Sequence, residues 1–340
     1  MGRVTTTSPP IAIIGAGVLG LCAAFELSRR GHAVRVIDPG GANASSVAAG
    51  MIAPAMEAAI DQATPEQAAL FRAGRDLWPA FAQAAGISLN ARPAEWRGPQ
   101  AGELAERMAA LGFAARRDGD TLVTDEDLQV EPEQAMAALR SALGAAVVNG
   151  EVLRLETTPS AWRLRLDGMT LEAAAVVLAT GAGPAIPGAP PEALRLADLI
   201  QPIKGQIGRL RSRPVAHVVR GPGAYVAPMG RGAVVGATME PGRRDLDADP
   251  ASAQRLVEAA ERVLGRPLDS AEVAWGAGVR GASPDGLPLA GAVSGADGLF
   301  LALAPRRNGW LLGALVAEVV ADAIEGRASE HAAALDPGRF

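Results

Sequence analysis

Arg280 sits in a run of Gly, Ala and Val in the stretch GAGVRGASPDGLPLAG (residues 276–291), with its nearest acid, Asp285, across what reads as a turn. A guanidinium keeps its charge and cannot lose a proton to escape burial. If this segment is buried, something negative must face it: a side chain, with Asp285 the first candidate, or an anionic ligand. Tyr225 in GAYVAPMG, the chain's single tyrosine, Met239 in GATME and Arg307 in RRNGWLLG are further candidates to line such a site. Each has a plainer reading. Tyr225 can be a strand aromatic of the core, Met239 core filler behind a Val-Val strand, and Arg307 a donor to backbone carbonyls.

A second constellation lies near the start. IAIIGAGVLGLCAAFELSRRGHAVRVID reads as strand, tight turn, helix and strand, with Gly15, Gly17 and Gly20 in G-x-G-x-x-G spacing. The first glycine permits the turn, the second lets a pyrophosphate approach the backbone, and the third lets helix pack on strand. Val18 opens the helix, whose free N–H groups and positive end suit phosphate. Asp38 closes the second strand 18 residues after Gly20, placed for a ribose hydroxyl, which favours FAD or NAD over NADP. Cys22 is expected to pack on the helix's inner face with Leu19 and Ala23. Downstream, NASSVAAGMIAPAMEA (residues 43–58) is rich in small residues and hydroxyls and can thread past a flat polar ring or be a flexible loop. AAAVVLATGAG (residues 173–183) reads as another buried strand ending in a glycine turn at Thr180 and Gly181.

These elements need a large core to hold them, and 340 residues with 49% apolar and 20% charged side chains supply one, as a large domain or two interleaved ones. A formal net charge of -5 gives no basic footprint, so nucleic acid is not expected as a partner. One cysteine excludes an intrachain disulfide framework and fits a reducing cytoplasm. His32, His217 and His331 are too scattered to suggest a metal site, and none is expected. The apolar run behind Arg3 has the look of a signal-peptide core, but the fixed glycine spacing and the strand pattern that follows favour structure. No uninterrupted apolar run is long enough for a membrane span. Residues 309–324 fit a helix with Leu312, Leu315, Val316, Val319 and Val320 along one apolar stripe and Asn308 as its N-cap.

Taken together, IGAGVLGL with Asp38, SSVAAGMIAP, GEVLRLE with VVLATGAG, YVAPMGRGAVVGATME, GVRGASPDGLPLAG and RRNGWLLG resemble the glycine oxidase / D-amino-acid oxidase family of flavoproteins, closest to the ThiO-type glycine oxidases. The resemblance spans nearly the whole chain. It implies an α/β fold with a Rossmann-like FAD-binding domain in discontinuous segments (9–85, 130–198 and 276–338) and a second, mainly antiparallel sheet domain for the substrate (86–129 and 199–275). It implies FAD contacts at Gly15, Gly17, Val18, Gly20, Asp38, Ser45, Ser46, Gly50, Met51, Val152, Thr180, Gly181, Asn308, Gly309 and Trp310. Trp310 departs from the aliphatic residue usual after Arg-Asn-Gly, and Ala304-Pro305-Arg306 departs from the usual Gly-His-aromatic run, which puts substrate identity in question more than chemistry.

The resemblance also implies roles. Arg280 matches the arginine that pairs bidentately with a substrate α-carboxylate, Tyr225 a hydroxyl near the same oxygens, and Met239 a pocket-lining position. The implied reaction is oxidation of glycine, sarcosine or a small D-amino acid by hydride transfer from Cα to flavin N5, giving oxo acid, ammonia and hydrogen peroxide. The alternative is a D-amino-acid dehydrogenase that passes electrons to a quinone or carrier. FAD is expected to be noncovalent, because Cys22 is remote from the position that carries a flavin bond in related sarcosine oxidases. Thiamine biosynthesis is the pathway the resemblance suggests, and a homo-oligomer is compatible with it.

Overall fold

The computed structural model describes residues 8–41, 43–159, 161–269 and 273–340. Two sheets organise the chain. The first has six strands in the order Leu289–Ala292, Leu299–Leu303, Ala175–Leu178, Ile11–Ile14, Val34–Asp38 and Val147–Asn149. All neighbours are parallel except the edge strand Leu289–Ala292. Its central strands are buried along their whole length, as strands covered on both faces must be. Alternation sorts their side chains: Ile11 and Ile13 join the core under the helices, while Ala12 and Ile14 face a three-stranded antiparallel sheet that includes Trp162–Leu166.

The helix Val18–Arg29 and the C-terminal helix Gly309–Ile324 share the first of those cores. Gly313 makes their close approach possible, since a Cβ there would stand 3.2 Å from Val18 and 3.3 Å from Cys22 Sγ. The C-terminal helix is not the one-sided helix its stripe suggests. Every residue from 310 to 317 is buried, because the helix Pro65–Ala85 closes over its other side. There Gly74 passes the Leu311 carbonyl, and Trp78 donates to that oxygen at 3.3 Å.

The second sheet is nine-stranded and largely antiparallel, built from segments within 94–124 and 201–241 together with Ala274–Ala282. The strand Ala274–Ala282 pairs along its whole length with Gln201–Leu210. An expected boundary between residues 275 and 276 therefore falls inside a strand, and the ladder carries residues 276–282 into the second sheet. A small sheet of Met51–Ile52, Leu128–Val130 and Leu89–Asn90 also crosses the expected division at 129/130.

Where the two halves meet, Asp127 is buried behind the helix Pro54–Ile60. One oxygen accepts from Ala55 N–H at 3.0 Å, and the other has no partner. Burial pushes its carboxyl up to about 7 against the pull of Arg220. Unfolded, an aspartate titrates near ~4, so between about 4 and 7 the folded chain holds a proton that the unfolded chain has lost, and stability falls as pH rises. We predict that the stability difference between Asp127→Asn and the parent shifts in the mutant's favour across that window, by up to about 1.4 kcal/mol per pH unit. Urea unfolding at a series of pH values checks this, and a difference independent of pH would contradict it.

Candidate functional site at the junction of the two sheets

The glycine turn lies where the sequence places it, and the reason is steric. Gly15 has φ +107°, and a Cβ there would meet the Ala179 carbonyl at 2.4 Å; at Gly20 it would meet the Gly15 carbonyl at 2.1 Å. Asp38 at the end of the second strand accepts from Ala16 N–H at 2.6 Å and from Gly40 N–H at 2.8 Å, so its carboxylate also ties the turn together. A cleft of about 650 Å³ opens here, bordered by Gly15, Gly17, Asp38, Ser45, Val152, Thr180 and Gly181. Gly20 serves the packing of helix on strand rather than the cleft wall.

Two apolar side chains identify the cleft as a binding surface. Leu153, 48% exposed, lines it from the first half of the fold, and Leu246, 57% exposed, from the second. Two exposed leucines on opposite sides of one cleft give a bound ligand apolar surface to cover. Leu246 rides on residues 243–249, which an ion pair anchors: Lys204, with no exposure, holds the half-exposed Asp245, and Arg243 adds a bond to the same carboxylate at 2.9 Å. The next residue, Arg244, donates to the Ala182 carbonyl across the cleft. A cradle of close-approach glycines with apolar walls and a carboxylate at the strand end fits the adenosine diphosphate portion of a dinucleotide.

The segment 43–51 forms the cleft's inner wall. Asn43 caps a short helical turn, accepting from Ser45 and Ser46 N–H, so Ser46 is engaged in the turn and its hydroxyl returns to Asn43. Ser45 lines the cleft and accepts from Val18 N–H at 3.0 Å. Gly50 has φ +69° and would press a Cβ into the Val130 carbonyl. Trp310 donates to the Ser45 carbonyl at 3.1 Å and stacks on Trp78 with ring centroids 6.0 Å apart. That second indole is what gives the unusual tryptophan its place. Asn308 stands at the helix N-terminus, buried, but its side chain makes no capping bond. The backbone just before it is strained, with Ala304 at φ 58° and Arg306 at φ 49°, a conformation non-glycine residues rarely adopt outside functional sites.

From the inner end of the cleft a space of about 100 Å³ leads past Gly281, Pro305 and Gly309 into a cavity of about 320 Å³. Arg280 borders both. It is not paired with Asp285, which accepts from Arg339 at 2.9 and 3.1 Å. Among the described residues no carboxylate comes within ion-pair distance of Arg280. Its protein contacts are a long bond to the Thr238 carbonyl (3.4 Å) and the Met239 sulfur (3.5 Å). Burial lowers its affinity for its proton, opposed mainly by Tyr225. Two glycines make room for this arrangement: a Cβ at Gly205 would lie on the Arg280 guanidinium, and one at Gly236 on the Tyr225 hydroxyl.

The other arginines here are each paired with an acid. Glu57 pairs with Arg220 at 2.7 Å and touches Arg307, though the latter contact is too poorly aligned to count as a hydrogen bond. Arg307 reaches Asp61 at 3.0 Å, and Arg306 reaches the same carboxylate at 2.7 Å. Burial alone would raise the Glu57 carboxyl, but Arg307 and Arg220 together hold it at about 2. Burial raises the Tyr225 hydroxyl. Met51 and Met239 line the cavity, and Met239 is 38% exposed, which rules out plain core filler. Glu57, Asp61, Trp96 and Arg220 are absent from the sequence reading: no local motif marks them, and their partners lie far along the chain. Cys22 is fully buried inside the first helix, and none of these cavities reaches it.

Comparison with known proteins points the same way. A family profile described as DAO, FAD dependent oxidoreductase, matches residues 10–323. The chain is similar to the glycine oxidase of Geobacillus kaustophilus (strain HTA426), 30% identical over 361 residues that cover 93% of this chain and 92% of that protein. It is also similar to the tRNA 5-methylaminomethyl-2-thiouridine biosynthesis bifunctional protein MnmC of Caulobacter sp. (strain K31), 31% identical over 98% of this chain but 58% of that longer protein. The chain thus spans little more than half of that relative. The crystal structure of glycine oxidase from Geobacillus kaustophilus matches with a TM-score of 0.84 at 26% identity, covering 98% of this chain and 100% of that one. No helix of the described residues is long and apolar enough to cross a membrane. The matched segment takes in the glycine turn, the junction and the buried helix, so the chain belongs to the DAO family of FAD-dependent oxidoreductases, and FAD is the dinucleotide its cleft accommodates.

Proposed function

We propose that this enzyme oxidises the carbon–nitrogen bond of a small amino acid or amine, with glycine, sarcosine and small D-amino acids as the first candidates. The observation that carries the reading is the uncompensated cation at Arg280, at the mouth between the cofactor cleft and the larger cavity. Guanidinium and carboxylate match in planarity and donor spacing, so a bidentate pair fixes orientation as well as charge. Tyr225, packed over Gly236 on the same side of the sheet, adds a hydroxyl donor for the same oxygens. Arg307 is engaged by Glu57 and Asp61, and we assign it to holding that wall rather than to gripping the substrate.

When bound, noncovalently on this reading, FAD supplies the acceptor for a hydride from Cα and for the electrons' onward passage to oxygen. The chain's own contribution is alignment and charge. No histidine lines the cavity, and Glu57, held at about 2 by its arginines, is a poor proton acceptor near neutral pH. The substrate amine must therefore arrive neutral, and the nearby guanidinium groups favour that form. The N-terminus of the buried helix Gly309–Ile324 borders the junction, where its positive end favours the negative charge of a reduced flavin. The imine product then takes up water to give an oxo acid and ammonia, or methylamine when the substrate is sarcosine, while oxygen is reduced to hydrogen peroxide.

Arg280→Ala is expected to raise KM for the amino acid at least about a hundredfold, in line with loss of a buried charged hydrogen bond, with FAD content unchanged. An unaltered KM would remove the assignment. A peroxide assay over glycine, sarcosine, D-alanine, D-proline and the L counterparts tests the reaction. Peroxide formation supports it, and dye reduction without oxygen uptake would favour the dehydrogenase alternative. Failure of every amine to reduce the flavin would overturn it.

A further inference from the structure

At the far end of the cavity from the cofactor cleft, two polar side chains have hydrogen-bond donors that nothing in the protein satisfies. Trp96 and Arg220 stand opposite each other on the paired strands Ala94–Arg97 and Val219–Gly221. They are 9% and 6% exposed, and both line the cavity. The Trp96 Nε1–H and the Arg220 Nε–H are buried without a partner. The rest of the Arg220 guanidinium is occupied, with Nη1 on Glu57 at 2.7 Å and Nη2 on the Met51 sulfur at 3.1 Å. A buried donor left unmade costs about 1–3 kcal/mol, more when charged. Two neighbouring orphans on residues that line one cavity need a reason.

Sheet pairing places them relative to Arg280. Arg220 is opposite Tyr225, Tyr225 opposite Gly236, and Gly236 opposite Ile207, so this row shares one face of the sheet. The row meets the strand of Arg280 at Gly276, four strand steps from Arg220, on the order of 19 Å at ~4.8 Å per step, and Arg280 lies four residues farther along that strand, about 13 Å. Arg280 reaches over Gly205, which lies opposite Gly278, to the Thr238 carbonyl, and so covers part of both distances. The remainder, less the reach of Arg220 itself, suits a ligand with an acceptor at each end. It is more than a methyl or hydrogen substituent fills.

Charge gives an independent reason. Around the cavity and the passage beside it stand four guanidinium groups, Arg220, Arg280, Arg306 and Arg307, against two carboxylates, Glu57 and Asp61. Two positive charges remain, and an α-carboxylate at Arg280 neutralises one. Asp127 behind Arg220 offsets part of the other at most, since burial holds its carboxyl at about 7.

We infer that Trp96 Nε1 and Arg220 Nε form a second anion subsite, and that the substrate is an amino acid bearing a second carboxylate, carried on Cα or on the amine nitrogen. The inference rests on amine oxidation at Arg280 for its substrate class, but the subsite itself is testable without turnover. Non-reactive acids titrated into the flavin-loaded protein, followed by flavin absorbance, compare glutarate with valerate and succinate with butyrate. The diacid of a matched pair is expected to bind at least tenfold tighter, and Trp96→Phe, which keeps the ring but removes the N–H, should bring the ratio below threefold. Arg220→Lys, which keeps a cation for Glu57 but removes Nε, should do the same. Equal affinities in the parent protein, or a ratio unmoved by both variants, would overturn the subsite. In turnover, D-glutamate and N-carboxymethylglycine against D-alanine and sarcosine show where the second acid is carried; a monoacid preference in both pairs would refute the substrate class. If no amine reduces the flavin but the diacid advantage persists, amine oxidation fails and the subsite stands.

Discussion

A half-buried guanidinium without an acid to face it is the constraint around which this structure is arranged. Arg280 extends from the strand Ala274–Ala282 over a backbone cleared of a side chain at Gly205, and its protein contacts are a carbonyl and a thioether. Every other arginine of the cavity has a carboxylate: Arg220 has Glu57, Arg306 has Asp61, and Arg307 has both. The contrast separates arginines that hold the wall from the one that awaits a ligand. Asp285, near in sequence, is bound to Arg339 and withdrawn from the contest.

The same strand explains how cofactor and substrate spaces come together. Gly278 and Val279 border the nucleotide cleft, Gly281 the passage beyond it, and Arg280 the passage and the cavity. One extended segment thus touches each space in turn. Across the cleft, the second half of the fold contributes the segment carrying Arg244 and Leu246, fixed by the ion pair of its Asp245 with the fully buried Lys204. A lysine buried so completely needs its counter-charge, so the position of this segment is tied to the integrity of the second sheet.

The parts legible in the sequence were those whose physics is local. Gly15, Gly17, Gly20 and Asp38 lie within one strand–turn–helix–strand unit, and steric exclusion at Gly15 and Gly20 enforces the spacing. Arg280 announced itself by standing alone among small residues. The C-terminal helix was visible as a helix but not as one buried on nearly all sides, because its second cover is the distant helix Pro65–Ala85. Asn308 has the right residue type for a cap yet does not use its side chain. Glu57, Trp96 and Arg220 were invisible for a plain reason. Glu57 and Arg220 are 163 positions apart, and their pairing exists only once three strands and a helix have assembled.

The claim at the centre is that a ligand's carboxylate, not a protein side chain, completes Arg280. Anaerobic stopped-flow mixing of the oxidised enzyme with its best amino acid, and separately with the corresponding carboxamide, measures this directly. The amide keeps the amine and the Cα–H but lacks the negative charge. At equal subsaturating concentrations, flavin reduction by the amide should be at least about a hundredfold slower, the scale of a lost charged hydrogen-bond pair. Reduction at comparable rates would mean that Arg280 does not hold the substrate, and the account of the site would fail.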